Sequence, residues 1–310
     1  MTDPTLFESE IDMAAIAQGG NGALRRQFGD LPFSVLRTDT GQWQRRKRWW
    51  INQGLRSEVG RAARSYNFTE WGSENAPDKA METDTSIFDP VLTEMLYRWL
   101  CPSGGMIVDP FAGGSVRGIV AGFGGFQYHG IELRGEQVAA NVEQRNAILG
   151  ESEIVQWVEG DAADHIAEAP DADFVLTCPP YYDLEVYSDD PADLSAMPTY
   201  ADFLTAYRTI LSCTLDRLAV DRFAVIVVGD FRDKRTGYMR SFVADTIRAI
   251  EESGAHYYQE LVVMNPIGSL PVRTGNQFST SRKFGKQHQQ ALVFVKGDPK
   301  SATAALVRAA

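Results

Sequence analysis

The chain has 310 residues, of which 44% are hydrophobic, enough to bury one large core and an accessory segment. Its formal net charge of −11 opposes binding to a polyanion over the whole surface, so any nucleic acid must be met by local basic patches. There is no apolar run of membrane-spanning length and no signal-peptide pattern, and neither the four histidines nor the three cysteines show a metal-ligand spacing or a disulfide framework. We therefore expect a cytoplasmic protein with no metal and no membrane partner.

Residues 1–84 show no clear strand pattern and predict a mainly helical segment. Between 21 and 65, ten Lys and Arg face three acids, a net charge of +7. The centre, 43–50, mixes cations with tryptophans, which suits phosphate contact and base stacking. The same pattern fits a basic helix whose tryptophans lie in the core, and both interpretations stay open here. The central cations are Arg45, Arg46, Lys47 and Arg48.

A helix is predicted to run from Pro90 to about residue 100, with Asp89 as its cap. Residues 106–109 predict a short buried strand, followed by a glycine-rich turn and a helix that begins near Ser115. Gly113 and Gly114 let the backbone approach a ligand closely, and the amide groups at the helix start are expected to face it.

Three further strand ends carry side chains that suit a small-molecule site. The strand 127–132 ends in Glu132, an acid 23 residues beyond Asp109 that suits hydrogen bonds to ribose hydroxyls. After the helix 136–149, the strand 154–158 leads to Asp161. The strand 173–177 then leads into the sequence Cys178-Pro-Pro-Tyr.

The two prolines after Cys178 fix the backbone and remove two N–H donors, so the sheet ladder cannot continue there. Free carbonyl groups beside the aromatic ring of Tyr181 form a rigid acceptor platform at the carboxyl end of a strand, where open α/β sheets hold ligands.

The rest of the chain completes an α/β pattern with a helix at 201–218, a strand at 223–228, a helix at 238–253 and an antiparallel strand pair at 257–264 and 290–296. The connection 266–289 is predicted to be a long loop. Residues 265–296 contain no acid, whereas 151–200 hold thirteen acids and no Lys or Arg, so one face is expected to meet nucleic acid. The cations of this loop are Arg273, Arg282, Lys283 and Lys286.

Two motifs carry a family resemblance. Cys178-Pro-Pro-Tyr resembles the (Asp/Asn/Ser)-Pro-Pro-Tyr signature of enzymes that methylate exocyclic amino groups of bases, and residues 109–115, Asp-Pro-Phe-Ala-Gly-Gly-Ser, are similar to the Asp-Pro-Phe-x-Gly-Ser-Gly cofactor motif. Over about residues 83–297 the chain resembles the S-adenosylmethionine-dependent DNA amino-methyltransferase family. The resemblance implies an α/β class I (Rossmann-like) fold with a seven-stranded, mostly parallel sheet, an antiparallel last strand and a mainly helical N-terminal segment. It divides the chain into a DNA-contacting cap (1–84), a catalytic domain (85–300) and a tail (301–310).

The resemblance implies S-adenosylmethionine as cofactor, S-adenosylhomocysteine as product and double-stranded DNA as partner. Tyr181 is expected to stack on a flipped base, with Tyr182, Asp183 and Tyr187 as further wall candidates, in an enzyme of restriction-modification type. The sequence leaves the oligomeric state open, a homodimer included. The expected catalytic residues are Cys178, Pro179, Pro180 and Tyr181. The expected cofactor-binding residues are Ser86, Phe88, Asp109, Pro110, Phe111, Ala112, Gly113, Ser115, Glu132, Leu133, Asp161 and Ala162.

Cys178 departs from the family pattern, because a thiol is a poor hydrogen-bond acceptor. In one interpretation it acts like Ser, and the product is N4-methylcytosine or, less favoured, N6-methyladenine. In another it is a nucleophile that adds to cytosine C6 and activates C5, with Glu185 as the nearby acid. A catalytically silent nucleic-acid-binding protein, and an RNA or protein substrate, also stay open.

Overall fold

The structure, a computed structural model, describes residues 30–56, 88–184, 188, 190–268 and 270–308. The strands in this part of the chain are β1 (Val35–Arg37), β2 (Met106–Asp109), β3 (Gln127–Glu132), β4 (Val155–Glu159), β5 (Ala172–Thr177), β6 (Leu218–Val228), β7 (Phe231–Arg232), β8 (Met239–Arg240), β9 (His256–Met264) and β10 (His288–Lys296). The α-helices are α1 (Gly41–Asn52), α2 (Pro90–Leu100), α3 (Val116–Phe123), α4 (Gly135–Leu149), α5 (Ala162–His165), α6 (Tyr200–Arg217), α7 (Phe242–Glu252), α8 (Leu270–Ser281) and α9 (Pro299–Arg308).

Eight strands form one sheet in the order β1-β9-β10-β6-β5-β2-β3-β4. The five strands from β6 to β4 are parallel, and β10 is antiparallel to both of its neighbours. This arrangement confirms the expected Rossmann-like class with its antiparallel last strand. The expected number of seven strands was wrong, because β1 adds an eighth beside β9. With three residues, of which only Leu36 is buried, β1 is too short to show a strand pattern in the sequence.

The order of the strands places a crevice between β2 and β5. From β2 the chain moves outward through β3 to β4, and it then returns to the other side of β2 to form β5 and β6. The loops that leave β2 and β5 therefore diverge at their carboxyl ends, which is where open α/β sheets bind ligands.

The sheet has a hydrophobic core on each face, as expected for a parallel sheet covered by helices on both sides. Helices α1, α2, α3 and α9 contribute to one core, and α5, α6 and α7 contribute to the other. Successive residues of β6 alternate between them, so that 223, 225 and 227 enter the first core while 224, 226 and 228 enter the second.

Helix α1 buries a stripe of residues at positions i, i+3 and i+7. Thr40 caps its start by accepting a hydrogen bond from the Trp43 amide at 3.4 Å. The indoles of Trp43 and Trp50 are each 1% exposed and belong to the first core. For these two side chains, the interpretation as a basic helix with buried tryptophans is the correct one. The residue between them on the stripe is Arg46, and it is buried as well.

Two predicted segments differ in the structure. Helix α7 begins at Phe242 rather than 238, because Met239–Arg240 pairs with Phe231–Arg232 as a short antiparallel ribbon. Helix α8 occupies part of the predicted loop, and none of its described side chains is buried. A helix without a buried face leaves no apolar periodicity in the sequence, which is why the pattern predicted a loop. The tail is helical in α9, where Ala302 packs into the first core.

Candidate active site

A cavity of about 500 Å³, here called the central cavity, opens at the carboxyl ends of β2, β3, β4 and β5. Its volume lies within the range of roughly 300–1,000 Å³ typical of small-molecule sites. The turn after β2 and the segment after β5 border the same space. The residues singled out in the sequence that line it are Phe88, Pro110, Phe111, Gly113, Glu132, Leu133, Asp161, Ala162, Cys178, Pro179, Pro180 and Tyr181.

Asp109 ends β2 beneath the cavity and is fully buried. Its carboxylate accepts hydrogen bonds from Arg117 Nε at 2.5 Å, the Tyr128 hydroxyl at 2.8 Å and Thr177 Oγ1 at 2.6 Å. Burial, and then the nearby Asp109 charge, raise the pKa of Tyr128 well above its usual value, so the phenol remains a donor. Asp109 thus joins β2, β3, β5 and α3 at one point.

Asp109 was expected to contact a cofactor directly. In the structure, the Asp109 carboxylate is engaged by other side chains of the protein and does not line the cavity. Ala112 and Ser115 are also buried behind the wall. Asp109 therefore acts on the site through the residues that it positions.

The amides of the glycine-rich turn also bond within the protein. The amide of Phe111 donates to Asp109 at 3.2 Å, that of Ala112 to the Ile131 carbonyl at 2.9 Å, and that of Gly113 to Glu132 at 3.0 Å. Gly113 has φ +53°, a left-handed conformation that favours glycine. These three amides are therefore already engaged within the protein, and the amides at the start of α3, which are a separate set, stay the ones expected to face a ligand.

Arg117 lines the cavity, and the sequence analysis missed it. Its Nη2 donates to the carbonyls of Phe111 at 2.6 Å and Ala112 at 2.9 Å, and the Phe88 ring centroid lies 4.6 Å from its Cζ. Burial alone lowers the pKa of the guanidinium, but the Asp109 carboxylate outweighs this and the net pKa is raised, so Arg117 is a cation. A signal was present, since Arg117 is the one charged residue among residues 115–123 of an otherwise apolar helix start.

Two carboxylates lie at the far side of the cavity, after β3 and β4. Glu132 accepts hydrogen bonds from Gly113 and from Arg134 Nε at 3.1 Å. Asp161 caps α5 with Oδ1, which accepts the Ala163 amide at 2.8 Å. Among the described residues nothing donates to Asp161 Oδ2, which leaves an acceptor at the cavity wall.

The segment after β5 presents backbone acceptors to the cavity. Thr177 is fully buried and Cys178 is half-buried, at the point where the strand ends. No described residue donates a hydrogen bond to the carbonyl of Pro179. The carbonyl of Tyr181, in contrast, accepts the Leu184 amide at 3.0 Å in a single helical turn.

The ring of Tyr181 is fixed by aromatic neighbours, with centroid distances of 5.7 Å to Phe242 and 6.1 Å to Phe231, both edge-on. Tyr182 turns away at φ +49°, and its ring packs against Tyr200 in the second core. The expectation that Tyr182 and Asp183 belong to the cavity wall was therefore wrong.

The outer wall comes from elements that the motifs did not include. Thr38 after β1, Asn265 after β9 and Gln289 in β10 line the cavity, as does Lys47 of α1. Lys47 Nζ lies 3.3 Å from Asp89 Oδ2. Lys47, expected to contact nucleic acid, thus lies at the cavity wall.

Arg46 was expected to contact nucleic acid, and the structure places it in the core. It is 5% exposed, and its Nε and Nη2 bind the two carboxylate oxygens of Glu94 at 2.9 and 2.7 Å. A buried, bidentate pair of this kind is part of the core. Trp50 Nε1 donates to the same carboxylate at 2.8 Å.

Other predicted cations remain at the surface. Arg45 and Arg48 are exposed on α1, Arg282 is exposed after α8, and Lys283 is half-buried. Lys286 donates from Nζ to the carbonyl of Asp230, at the carboxyl end of β6, at 2.8 Å. Ser86, Glu185, Tyr187 and the side chain of Arg273 lie outside what the structure describes.

The described residues contain no cluster of His, Cys, Asp and Glu that could hold a metal ion. Within the same residues, no helix is long and apolar enough to cross a membrane.

Comparisons with known proteins found structural neighbours only, since no model of a known family and no curated protein matches the sequence. The structure is similar to that of TrmN from Thermus thermophilus (15% identity, TM-score 0.44, 67% of this chain and 49% of that chain). It is also similar to precorrin-6y C5,15-methyltransferase from Geobacter metallireducens GS-15 (13%, 0.44, 70% and 93%) and to a putative RNA methyltransferase, PH1948, from Pyrococcus horikoshii (14%, 0.42, 67% and 83%). The chain thus spans about half the length of the TrmN chain. Similarities of this size carry no argument about substrate or activity.

Proposed function

We propose that this protein transfers a methyl group from S-adenosylmethionine to the exocyclic amino group of a base in double-stranded DNA, with N4 of cytosine as the target. The observation that supports this best is the shared central cavity. Phe111, Gly113, Glu132 and Asp161 border it on one side, and the segment 178–181 borders it on another. A cofactor site and a base site must adjoin for group transfer, because the reacting atoms have to meet in line.

The residues present fit the proposed cofactor. Glu132 and the open oxygen of Asp161 provide acceptors that suit ribose hydroxyls and an adenine amino group, and Phe111 and Leu133 provide apolar wall. When bound, S-adenosylmethionine supplies a methyl group activated by a sulfonium. The protein then has to hold the amine in place and exclude water.

The segment after β5 has the groups that this task needs. An exocyclic amine donates its lone pair into the ring, and acceptors that hold its N–H groups out of the ring plane restore its nucleophilicity. The carbonyl of Pro179 is such an acceptor, and the preceding residue of the cavity wall, Cys178, adds a thiol as a weaker one. The Tyr181 ring offers a stacking face for a base that has left the duplex.

The charge distribution supports a polyanionic partner at this edge of the sheet. Exposed cations lie on α1, which contributes Lys47 to the cavity wall, and after α8, in the acid-free stretch 265–296. A protein with a net charge of −11 can approach DNA where such cations are clustered.

One observation favours a second candidate, methylation of cytosine C5. Cys178 lines the cavity and is half-buried, which makes its thiol a candidate nucleophile toward a base. That chemistry also needs an acid to hold the ring nitrogen, and the candidate from the sequence, Glu185, lies outside the described residues.

The test is expression in a host without its own DNA methylation, followed by mass spectrometry of the nucleosides from its DNA. We expect N4-methylcytosine. Tyr181→Ala should abolish the signal, whereas Tyr238→Ala, which alters a tyrosine that is 78% exposed, should leave it unchanged. 5-Methylcytosine would support the second candidate, and no modified base in DNA would overturn both.

A further inference from the structure

Arg117 has one donor group that the protein does not use. Its Nε binds Asp109, and its Nη2 binds the carbonyls of Phe111 and Ala112. Nη1 has no hydrogen-bond partner among the described residues, although the side chain is 4% exposed and lines the central cavity. A buried guanidinium nitrogen at a cavity wall calls for an acceptor from a ligand, since an unsatisfied donor there is costly.

Three backbone donors of the turn after β2 are already engaged. The amides of Phe111, Ala112 and Gly113 all bond within the protein. An anionic group in this part of the cavity therefore cannot rely on those amides, as it does at many glycine-rich turns.

Two acids lie on one side of the cavity, here called the acidic side. Glu132 ends β3 and is paired with Arg134, and Asp161 follows β4 with one oxygen that no described residue engages. These acceptors suit the sugar and base of a nucleoside ligand.

The other side of the cavity lies toward the start of α2. There Lys47 is paired with Asp89, and the Phe88 ring covers the guanidinium of Arg117. Arg117 keeps Nη1 as a cationic donor that no described residue engages, so a ligand carboxylate fits beside it.

We infer that Arg117 binds the carboxylate of the cofactor's methionine end through Nη1. This inference rests on the proposed function, because it takes S-adenosylmethionine as the ligand. Arg117 then has two tasks. It holds the turn after β2 to Asp109, and it sets the cofactor's direction in the cavity so that the adenosine lies toward β4.

The test compares two ligands by calorimetry, S-adenosylhomocysteine and its decarboxylated analogue, which differ only in the carboxylate. The wild-type protein should bind S-adenosylhomocysteine at least about tenfold more tightly, as expected for a charge-assisted hydrogen bond. Arg117→Lys keeps a cation beside Asp109, but lysine has a single amine, which Asp109 engages. The ratio of the affinities for the two ligands should therefore fall to about twofold or less. Affinity for the decarboxylated analogue should stay unchanged.

Two further variants serve as a control and as a replacement. Arg134→Gln removes the other arginine of the wall, on the acidic side, and should leave the ratio of the two affinities unchanged. If Arg117→Lys fails to fold by circular dichroism, the double variant Asp109→Asn/Arg117→Gln replaces it, because both buried charges are removed together.

The outcomes separate the two proposals. Equal affinities of the wild-type protein for both ligands would overturn the inference alone. So would a ratio that persists in the Arg117 variants but collapses in Lys47→Gln, which would assign the carboxylate to Lys47. If neither ligand binds to the folded wild-type protein, the proposed function fails and the inference fails with it.

Discussion

Thr177 Oγ1 donates a hydrogen bond to the Asp109 carboxylate across 2.6 Å, which links the last residue of β5 to the last residue of β2. Both side chains are fully buried. The segment that carries the proposed base site therefore starts from a residue tied to the turn that carries the proposed cofactor site.

We expect Thr177→Val, which keeps the shape and removes the donor, to lower the free energy of unfolding by about 1.5–3 kcal/mol, as for a hydrogen bond to a charged group. Urea unfolding measures this change. Thr209→Val is the matched control, because Thr209 is exposed on α6 and bonds only to a carbonyl of its own helix. A control variant that loses as much stability as Thr177→Val would contradict the assignment.

Cys178→Ser should retain methylation within about tenfold of the wild type, because a hydroxyl is a better acceptor than a thiol beside the Pro179 carbonyl. The measurement is transfer of labelled methyl groups to DNA. A C5 mechanism gives the opposite result, with activity lost and with a covalent complex of the wild-type protein on DNA that contains 5-fluorocytosine.

Glu94→Gln should destabilise the protein by about 3–5 kcal/mol, because Arg46 becomes a buried charge without its partner. Thermal and urea unfolding measure this loss. Changing both residues, as in Arg46→Met/Glu94→Gln, should recover part of it. The exposed neighbour Arg45→Met serves as the control, with an expected change within about 0.5 kcal/mol. If Arg45→Met loses as much stability as Glu94→Gln, the result would argue against the buried role of Arg46.

Arg282→Gln and Lys283→Gln should each weaken DNA binding for every sequence tested and reduce the slope of log K against log salt by about 0.9. Fluorescence anisotropy at several salt concentrations measures both effects. Lys300→Gln removes an equal charge from α9, which begins beside the amino-terminal end of β6 and away from the cavity, and should leave the slope unchanged. An unchanged slope in the Arg282 and Lys283 variants would remove this surface from the proposed interface.

The sequence predicted the structural features that depend on residues close together in the chain. The cap of Asp89 and the position of Pro90 predicted the start of α2, and Asp89 does accept the Val91 amide at 2.9 Å. The buried strands that lead into polar or glycine-rich turns were predicted close to where β2, β3, β4 and β5 lie in the chain. These features depend on neighbouring residues, so the sequence pattern contains them.

Features that depend on distant residues could not be predicted. Arg46 looked like a surface cation because its partner Glu94 lies 48 positions away. Lys47 reaches the cavity through a contact with Asp89 that no spacing indicates. Asp109 carried a family motif, yet three side chains from other elements already satisfy its carboxylate. Long-range pairing decided the roles of all three.

One carboxylate at the head of α2 accepts the Trp43 indole at 3.2 Å as well as the amides that begin its own helix, and it pairs with Lys47. A chain cut near residue 84 would leave Asp89 and Glu94 stripped of these partners and would open the first core where Trp43 and Trp50 pack. We therefore expect α1 and the sheet to unfold in one transition, and we expect the shortened chain to be less stable than the whole protein.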